Sequence, residues 1–182
     1  GSRGLEEEPE AHPFRRWLNS LRATFRNRPL LIFLVGYFLA TSGAVFAFNI
    51  VPLFAYDELF LNSELYGLSR AGFMAVSLLG FPLWGRFMDR FGAPLTMVIV
   101  WFCQAVLFAG LFFVHSWWPF FALLSVRGFF QAGNILAFFP IVMHFTTSEE
   151  TGRGMSLHYL FWGVRWLSMP LLAAAVARLR AA

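Results

Sequence analysis

The chain has 182 residues, of which 58% are hydrophobic and only 13% are charged. Soluble domains carry roughly one-quarter charged residues, so this composition excludes an ordinary water-soluble protein. The net charge is +4, the chain has arginines but no lysine, and most of the arginines flank long apolar blocks. Because membrane topology and anionic lipid headgroups account for such arginines, we expect no nucleic-acid partner.

The N-terminal region differs from the rest of the chain. Residues 1–13 are acidic and polar, which predicts a flexible tail. Residues 14–28 place apolar side chains on one helical face and arginines on the flank and the opposite side. This pattern favours a basic amphipathic helix lying in the membrane interface. The alternative is a soluble amphipathic helix packed on another domain.

Five long apolar segments follow and predict an all-α fold, a polytopic membrane helix bundle. We therefore expect residues 29–182 to form a transmembrane half-bundle. Its five spans are expected at about 30–56, 67–84, 94–114, 117–145 and 155–177. In the first span, Gly36, Ala40, Gly43 and Ala47 form small-x-x-x-small pairs. This spacing lets helices approach closely in lipid.

The arginines also predict the orientation of the chain. They cluster before the first span, between the second and third spans, and between the fourth and fifth spans. By the positive-inside rule, the N-terminus, segment 85–92 and segment 146–154 are cytoplasmic, and we expect the protein in the plasma membrane. Five spans would leave Arg178 and Arg180 outside, which indicates that a sixth span is missing.

A short motif lies in the expected tight turn between the second and third spans. Gly85, Asp89, Arg90 and Gly92 have the spacing Gly-x-x-x-Asp-Arg-x-Gly. This resembles the signature loop between the second and third helices of each six-helix half of the major facilitator superfamily. The resemblance implies that the loop, with Arg86, helps to hold one conformational state of a transporter.

The resemblance extends over residues 14–178, although only the signature loop is specific. The family pattern continues with further basic residues where Ala93 and Pro94 stand here. Segment 127–133 is similar to the fourth helix of such a half. The resemblance implies a secondary transporter that moves a small solute by alternating access. We interpret the spans as the C-terminal six-helix half without its last helix; the alternative is the N-terminal half, whose signature loop is usually stronger than this one. A second six-helix half or another membrane subunit is an expected partner.

Two arginines define the expected substrate cavity. Arg127 and Arg165 each lie about ten residues into a span and therefore near the bilayer midplane, where an arginine costs about 2.5–3.5 kcal/mol. Each shares a helical face with other polar residues. These two expected stripes are Arg127, Gln131 and Asn134, and His158, Arg165 and Ser168. Since no acidic residue lies at this depth, either carboxylates of the other half pair with the arginines or the solute is anionic.

The sequence predicts neither an enzyme nor a cofactor. The four histidines have no metal-ligand spacing, no catalytic constellation is present, and no glycine-rich phosphate-binding loop suggests ATP hydrolysis. We expect an ion gradient to supply the energy.

The alternative is a non-transporting accessory or scaffold subunit of a larger membrane complex, built on a truncated major facilitator body. In such a complex His144 or His158 could ligate a pigment or haem. An intact second half in the same gene would favour transport over this alternative.

Overall fold

The computed structural model describes residues 27–181, apart from the side chains of residues 148–150, 153 and 180–181. This part of the chain contains five helices long and apolar enough to span a membrane, which confirms the predicted all-α bundle. The helices are α1 (Arg28–Asp57), α2 (Ser63–Phe91), α3 (Ala93–Gly110), α4 (Trp117–Phe145) and α5 (Ser148–Ala181). A 3₁₀ turn, Leu111–Phe113, extends α3. The predicted tail and all but the last two residues of the predicted interfacial helix lie outside the described residues.

Two helices are longer than the sequence pattern predicts. Segment 85–92, expected as a tight turn, stays helical up to Phe91, because its Arg, Met and Phe residues all tolerate a helix. The turn is reduced to Gly92, whose φ of 85° lies in the left-handed region that glycine adopts without strain. Helix α5 begins at Ser148, so most of the polar segment 146–154 is helical rather than loop.

Short connections make consecutive helices antiparallel, and side chains tie their ends together. At one end, Trp117 Nε1 donates to the Leu65 carbonyl oxygen at 3.2 Å and to Ser69 Oγ at 3.1 Å. At the other end, Asn27 Nδ2 donates to the Phe145 carbonyl oxygen at 2.7 Å. We call the first the Trp117 end, where α2 and α4 begin. The second is the Gly92 end, where α2 and α4 finish.

Helices α2 and α4 form the most extensive contact in the bundle. Glycine allows their backbones to touch, because a Cβ added at Gly128 would overlap the Phe73 backbone. A Cβ added at Gly80 would lie 3.0 Å from the Phe129 carbonyl oxygen, and Trp84 Nε1 donates to that same oxygen at 2.8 Å. Since lipid supplies no hydrophobic driving force between helices, close packing and hydrogen bonds of this kind hold the pair together.

Helices α1 and α5 form a second, lighter pair beside this core. Helix α5 packs mainly against α1 and is the least buried of the five. Its large apolar side chains, such as Leu160, Leu167 and Leu171, are exposed. In a membrane, such a surface contacts lipid or another helix rather than water. The bundle is therefore divided into a tight α2–α3–α4 unit and an α1–α5 unit.

The α2–α4 contact predicts a strong effect at Gly128. We expect Gly128→Ala to destabilise the fold by about 1–3 kcal/mol, because the added methyl meets backbone that cannot rotate away. The measurement is the free energy of unfolding in mixed micelles titrated with sodium dodecyl sulfate. Gly163→Ala is the matched control: a Cβ there meets nothing within 4 Å, so its effect should stay within about 0.5 kcal/mol. Equal stability of the two variants would contradict the proposed packing.

Candidate functional site

Arg165 of α5 is bound to α1 through a hydroxyl group. Its side chain is only 4% exposed, and its Nη1 atom donates a hydrogen bond to Thr41 Oγ1. Thr41 Oγ1 in turn donates to the carbonyl oxygen of Tyr37, one helical turn earlier, at 2.5 Å. The Nε atom of Arg165 is buried and has no hydrogen-bond partner among the described residues. One edge of the guanidinium is therefore fixed by α1, while its Nε donor is unused.

Asn134 of α4 reaches the same part of α1. Its Nδ2 atom donates to the Tyr37 hydroxyl at 3.4 Å, and its Oδ1 atom accepts a bond from Trp101 Nε1 at 3.1 Å. Because the indole can only donate, this second bond fixes which way the amide of Asn134 points. The amide thus connects α3, α4 and α1 across the boundary between the two helical units.

His158 completes the group on the Gly92 side. Its ring lies 5.4 Å from the Tyr37 ring in an edge-to-face arrangement and 4.0 Å from the Phe138 ring. The imidazole is buried and lies two helical turns before Arg165 on α5. We define the Arg165 site as the polar residues Tyr37, Thr41, Asn134, His158 and Arg165.

Arg127 lies in a different cluster. Its guanidinium carbon lies over the Phe108 ring of α3 at 4.5 Å and over the Phe73 ring of α2 at 5.8 Å from the ring centroids. Arg70 lies over the same Phe73 ring at 5.0 Å and over the Phe48 ring of α1 at 4.9 Å. We define these five residues as the Arg127 stack. The two arginines expected in one cavity thus belong to separate clusters.

The remaining residues of the expected stripes contribute less to either cluster. Gln131 is half-buried and forms no hydrogen bond with the described part of the chain. The hydroxyl of Ser168 donates to the carbonyl oxygens of Val164 at 2.8 Å and Arg165 at 3.4 Å, so it is used within its own helix. Of the six expected residues, the structure brings together Asn134, His158 and Arg165.

The signature residues lie at the Gly92 end of α2. Arg86, Asp89 and Arg90 are exposed, and Gly85 has open space around its Cα. Arg90 lies over the neighbouring Phe91 ring at 5.2 Å, whereas Asp89 forms no ion pair or hydrogen bond with any described residue. The Asp89 carboxylate is therefore available to a group outside the described bundle.

The electrostatics of the interior are one-sided. Arg127 and Arg165 have no carboxylate within ion-pair distance among the side chains that the structure describes. The described acidic residues of this range lie at helix ends; they are Asp57, Glu58, Glu64 and Asp89. Within the same described range, no three His, Cys, Asp or Glu side chains come together as a metal site would require.

Sequence reasoning missed Tyr37, Thr41 and Arg70. Tyr37 and Thr41 are one turn apart on α1, but threonine hydroxyls in membrane helices usually bond their own backbone, so this spacing gives a weak signal. Arg70 lies near the start of α2. The signal available for it was its spacing of three residues from Phe73, which places the two side chains on one helical face.

Comparison with known proteins supports the resemblance seen in the motif. The sequence model of the Major Facilitator Superfamily matches residues 7–180, which is nearly the whole chain. Comparisons with curated proteins and with solved structures give no significant match. Members of this family are secondary transporters, which are integral membrane proteins that move solutes and are not enzymes. The extent of the match and the five membrane-spanning helices show that the chain belongs to the Major Facilitator Superfamily.

Proposed function

We propose that the chain forms one half of a secondary transporter for a small anionic solute, which binds at the Arg165 site. The observation that carries this proposal is the buried Nε donor of Arg165, which has neither an acceptor nor a carboxylate partner among the described residues. A buried donor without a partner costs about 1–3 kcal/mol, and more when it carries charge. An anion that enters from water would supply both the acceptor and the missing charge.

The neighbours of Arg165 suggest how such a solute is oriented. Thr41 fixes one edge of the guanidinium, so the remaining donors keep one geometry that suits the planar, bidentate recognition of a carboxylate or phosphate. The amide of Asn134 and the ring of His158 add polar groups on the Gly92 side. We include half-buried Gln131, three residues before Asn134, in the proposed cavity, since its amide has no partner among the described residues.

The second wall of the cavity would come from another six-helix half or another membrane subunit. Helix α1 leaves a stripe of small residues, Gly36, Ala40 and Gly43, exposed on its surface. A Cβ at either glycine would meet nothing within 4 Å. Small residues at this spacing suit a close helix–helix contact in lipid, which supports a partner on this side.

The Gly92 end would stabilise one conformational state of the transport cycle relative to the other. We propose that it faces the cytoplasm of a plasma membrane, as the arginines near it suggest, with the N-terminus on the same side. The exposed carboxylate of Asp89 would pair with a cation of the second half in one conformational state and separate from it in the other.

Arg165→Gln tests the proposed binding site. We expect uptake of the transported anion to fall about 10- to 100-fold, because a charge-assisted hydrogen bond and the positive charge of the site are lost together. The assay is uptake of labelled acetate, succinate and phosphate by proteoliposomes that contain the chain with its co-purifying partners. Arg178→Gln is the control, since Arg178 is exposed near the end of α5. Uptake that falls equally in both variants, or in neither, would contradict the assignment.

Asp89→Asn tests the proposed conformational role separately from binding. We expect the maximal uptake rate to change about two- to fivefold while the solute affinity stays the same, because one exposed ion pair contributes less than about 1 kcal/mol. Asp57→Asn, at the opposite end of the bundle, should change neither quantity. A change in affinity without a change in rate would argue against this role.

The partner is tested by the mass of the assembly. We expect gentle extraction from native membranes to give a complex with about twice the mass of this chain, or with the mass of this chain plus one six-helix partner. Alternating access between two halves requires such a second half. Intact-mass measurement of the detergent-solubilised complex checks this expectation. A large assembly that holds this chain without any second half would instead favour the scaffold role.

A further inference from the structure

The Arg127 stack contains two cations that share one aromatic ring. Arg70 and Arg127 lie over the Phe73 ring, 5.0 Å and 5.8 Å from its centroid, and each also lies over a second ring. Residues from four helices, α1 to α4, are thus arranged around two neighbouring positive charges.

These contacts use the charge of the arginines but none of their hydrogen-bond donors. A cation–π contact places a ring face against the guanidinium and supplies no acceptor for an N–H group. Neither Arg70 nor Arg127 forms a hydrogen bond or ion pair with any described residue, and Arg127 Nε is fully buried without a partner. A desolvated cation–π contact contributes about 2 kcal/mol, whereas the buried Nε donor of Arg127 without an acceptor costs about 1–3 kcal/mol.

The missing partner must therefore carry negative charge and offer several acceptors. Two guanidinium groups over one ring repel each other, and a monoanion would leave one of the two charges uncompensated in a medium of low dielectric constant. An anion with two negative charges would neutralise both. Carboxylate and phosphate oxygens also match the fork of N–H donors that arginine presents.

The stack and the Arg165 site use different contact residues, Phe48, Phe73 and Phe108 for the stack and Thr41 for Arg165. Arg127 lies ten residues into α4 and Arg70 seven residues into α2, so both are about 10–15 Å from the Trp117 end. The polar contacts of the Arg165 site include Asn134, two helical turns further along α4 toward the Gly92 end. Arg70 is half-buried, whereas Arg127 is buried.

We propose that Arg70 and Arg127 form a second anion-binding site, around the Phe73 ring, that takes a small oxyanion with two negative charges. A dicarboxylate or hydrogen phosphate has the required charge and acceptors. The site does not depend on which solute binds at Arg165, and it can exist whether or not the Arg165 site carries transport.

The test is calorimetric binding of succinate, and separately of inorganic phosphate, to the purified protein with its co-extracted partners in phosphatidylcholine nanodiscs. We expect Arg70→Gln and Arg127→Gln each to weaken binding by about 10-fold or more, since each removes a charge-assisted contact. Arg178→Gln, at an exposed position near the end of α5, is the matched control and should change the affinity less than about twofold, as expected for a site with no shared partners. Arg70→Lys keeps the charge but not the fork of donors, so it should bind better than Arg70→Gln.

Several outcomes would overturn the proposal. One is the absence of binding of both probes at millimolar concentrations, and another is binding lost in Arg165→Gln but kept in Arg70→Gln. Loss of succinate binding in nanodiscs containing phosphatidylglycerol would assign the stack to a lipid headgroup instead. Helical content and gel-filtration profiles identify variants that fail to fold, and half-buried Arg70 provides a readout if Arg127→Gln is one of them.

Uptake distinguishes this proposal from the transport proposal. If Arg165→Gln leaves uptake unchanged while Arg70→Gln loses succinate binding, the Arg165 site is wrong as a transport site and the second anion site stands. If Arg165→Gln abolishes uptake while Arg70→Gln and Arg127→Gln still bind succinate normally, the Arg165 site stands as a transport site and the second anion site is wrong.

Discussion

An arginine inside a membrane keeps its charge, and the interior of this bundle is organised around that constraint. The described residues offer no carboxylate to Arg127 or Arg165. The chain instead uses a hydroxyl for Arg165 and aromatic faces for Arg127 and Arg70. Each of these contacts joins different helices. The cations therefore connect the bundle, and the Nε donors of Arg127 and Arg165 stay without partners among the described residues.

The division of the bundle into two units gives the Arg165 site its position. Thr41 and Arg165 belong to the lighter α1–α5 unit, whereas Asn134 and Trp101 belong to the tight α2–α3–α4 unit. The hydrogen bond between Asn134 and Tyr37, at 3.4 Å, is one of few polar links across the boundary. A small shift of α1 and α5 against the other helices would change the distance between the two sets of polar groups. Such a site is well placed to respond to rigid-body motion, which is how packed helical units move.

The two ends of the bundle differ in how many of their polar groups have partners within the described helices. Near the Trp117 end, aromatic rings, two arginines and the Trp117 bonds to α2 produce a closely packed region. At the Gly92 end, the last turns of α2 expose a carboxylate and two arginines without partners from the described helices, except for the Phe91 ring. In the proposed transporter, the first arrangement would select an anion, whereas the second would form and break a contact with another subunit.

The sequence by itself determined the class, the five spans and the family. Lipid demands long apolar runs and internally bonded backbone, and these requirements are written directly into composition and length. The Gly-x-x-x-Asp-Arg-x-Gly spacing then indicated the family, although its residues proved to be mostly helical. Helix ends were less predictable, because Arg86 and Asp89 are compatible with a helix or a turn until packing chooses between them.

Only the tertiary structure decided which polar residues meet. Arg127 and Asn134 lie on one face of α4, yet Arg127 contacts α2 and α3 while Asn134 bonds to α1 and α3. Periodicity fixes the angle of a side chain on its own helix, but the neighbour that it faces depends on how helices cross and at what depth. Thr41 gave little signal for the same reason, because its partner Arg165 lies on another helix. Arg70 gave little signal because its contact with the Phe73 ring, on the adjacent turn, is evident only in the folded bundle.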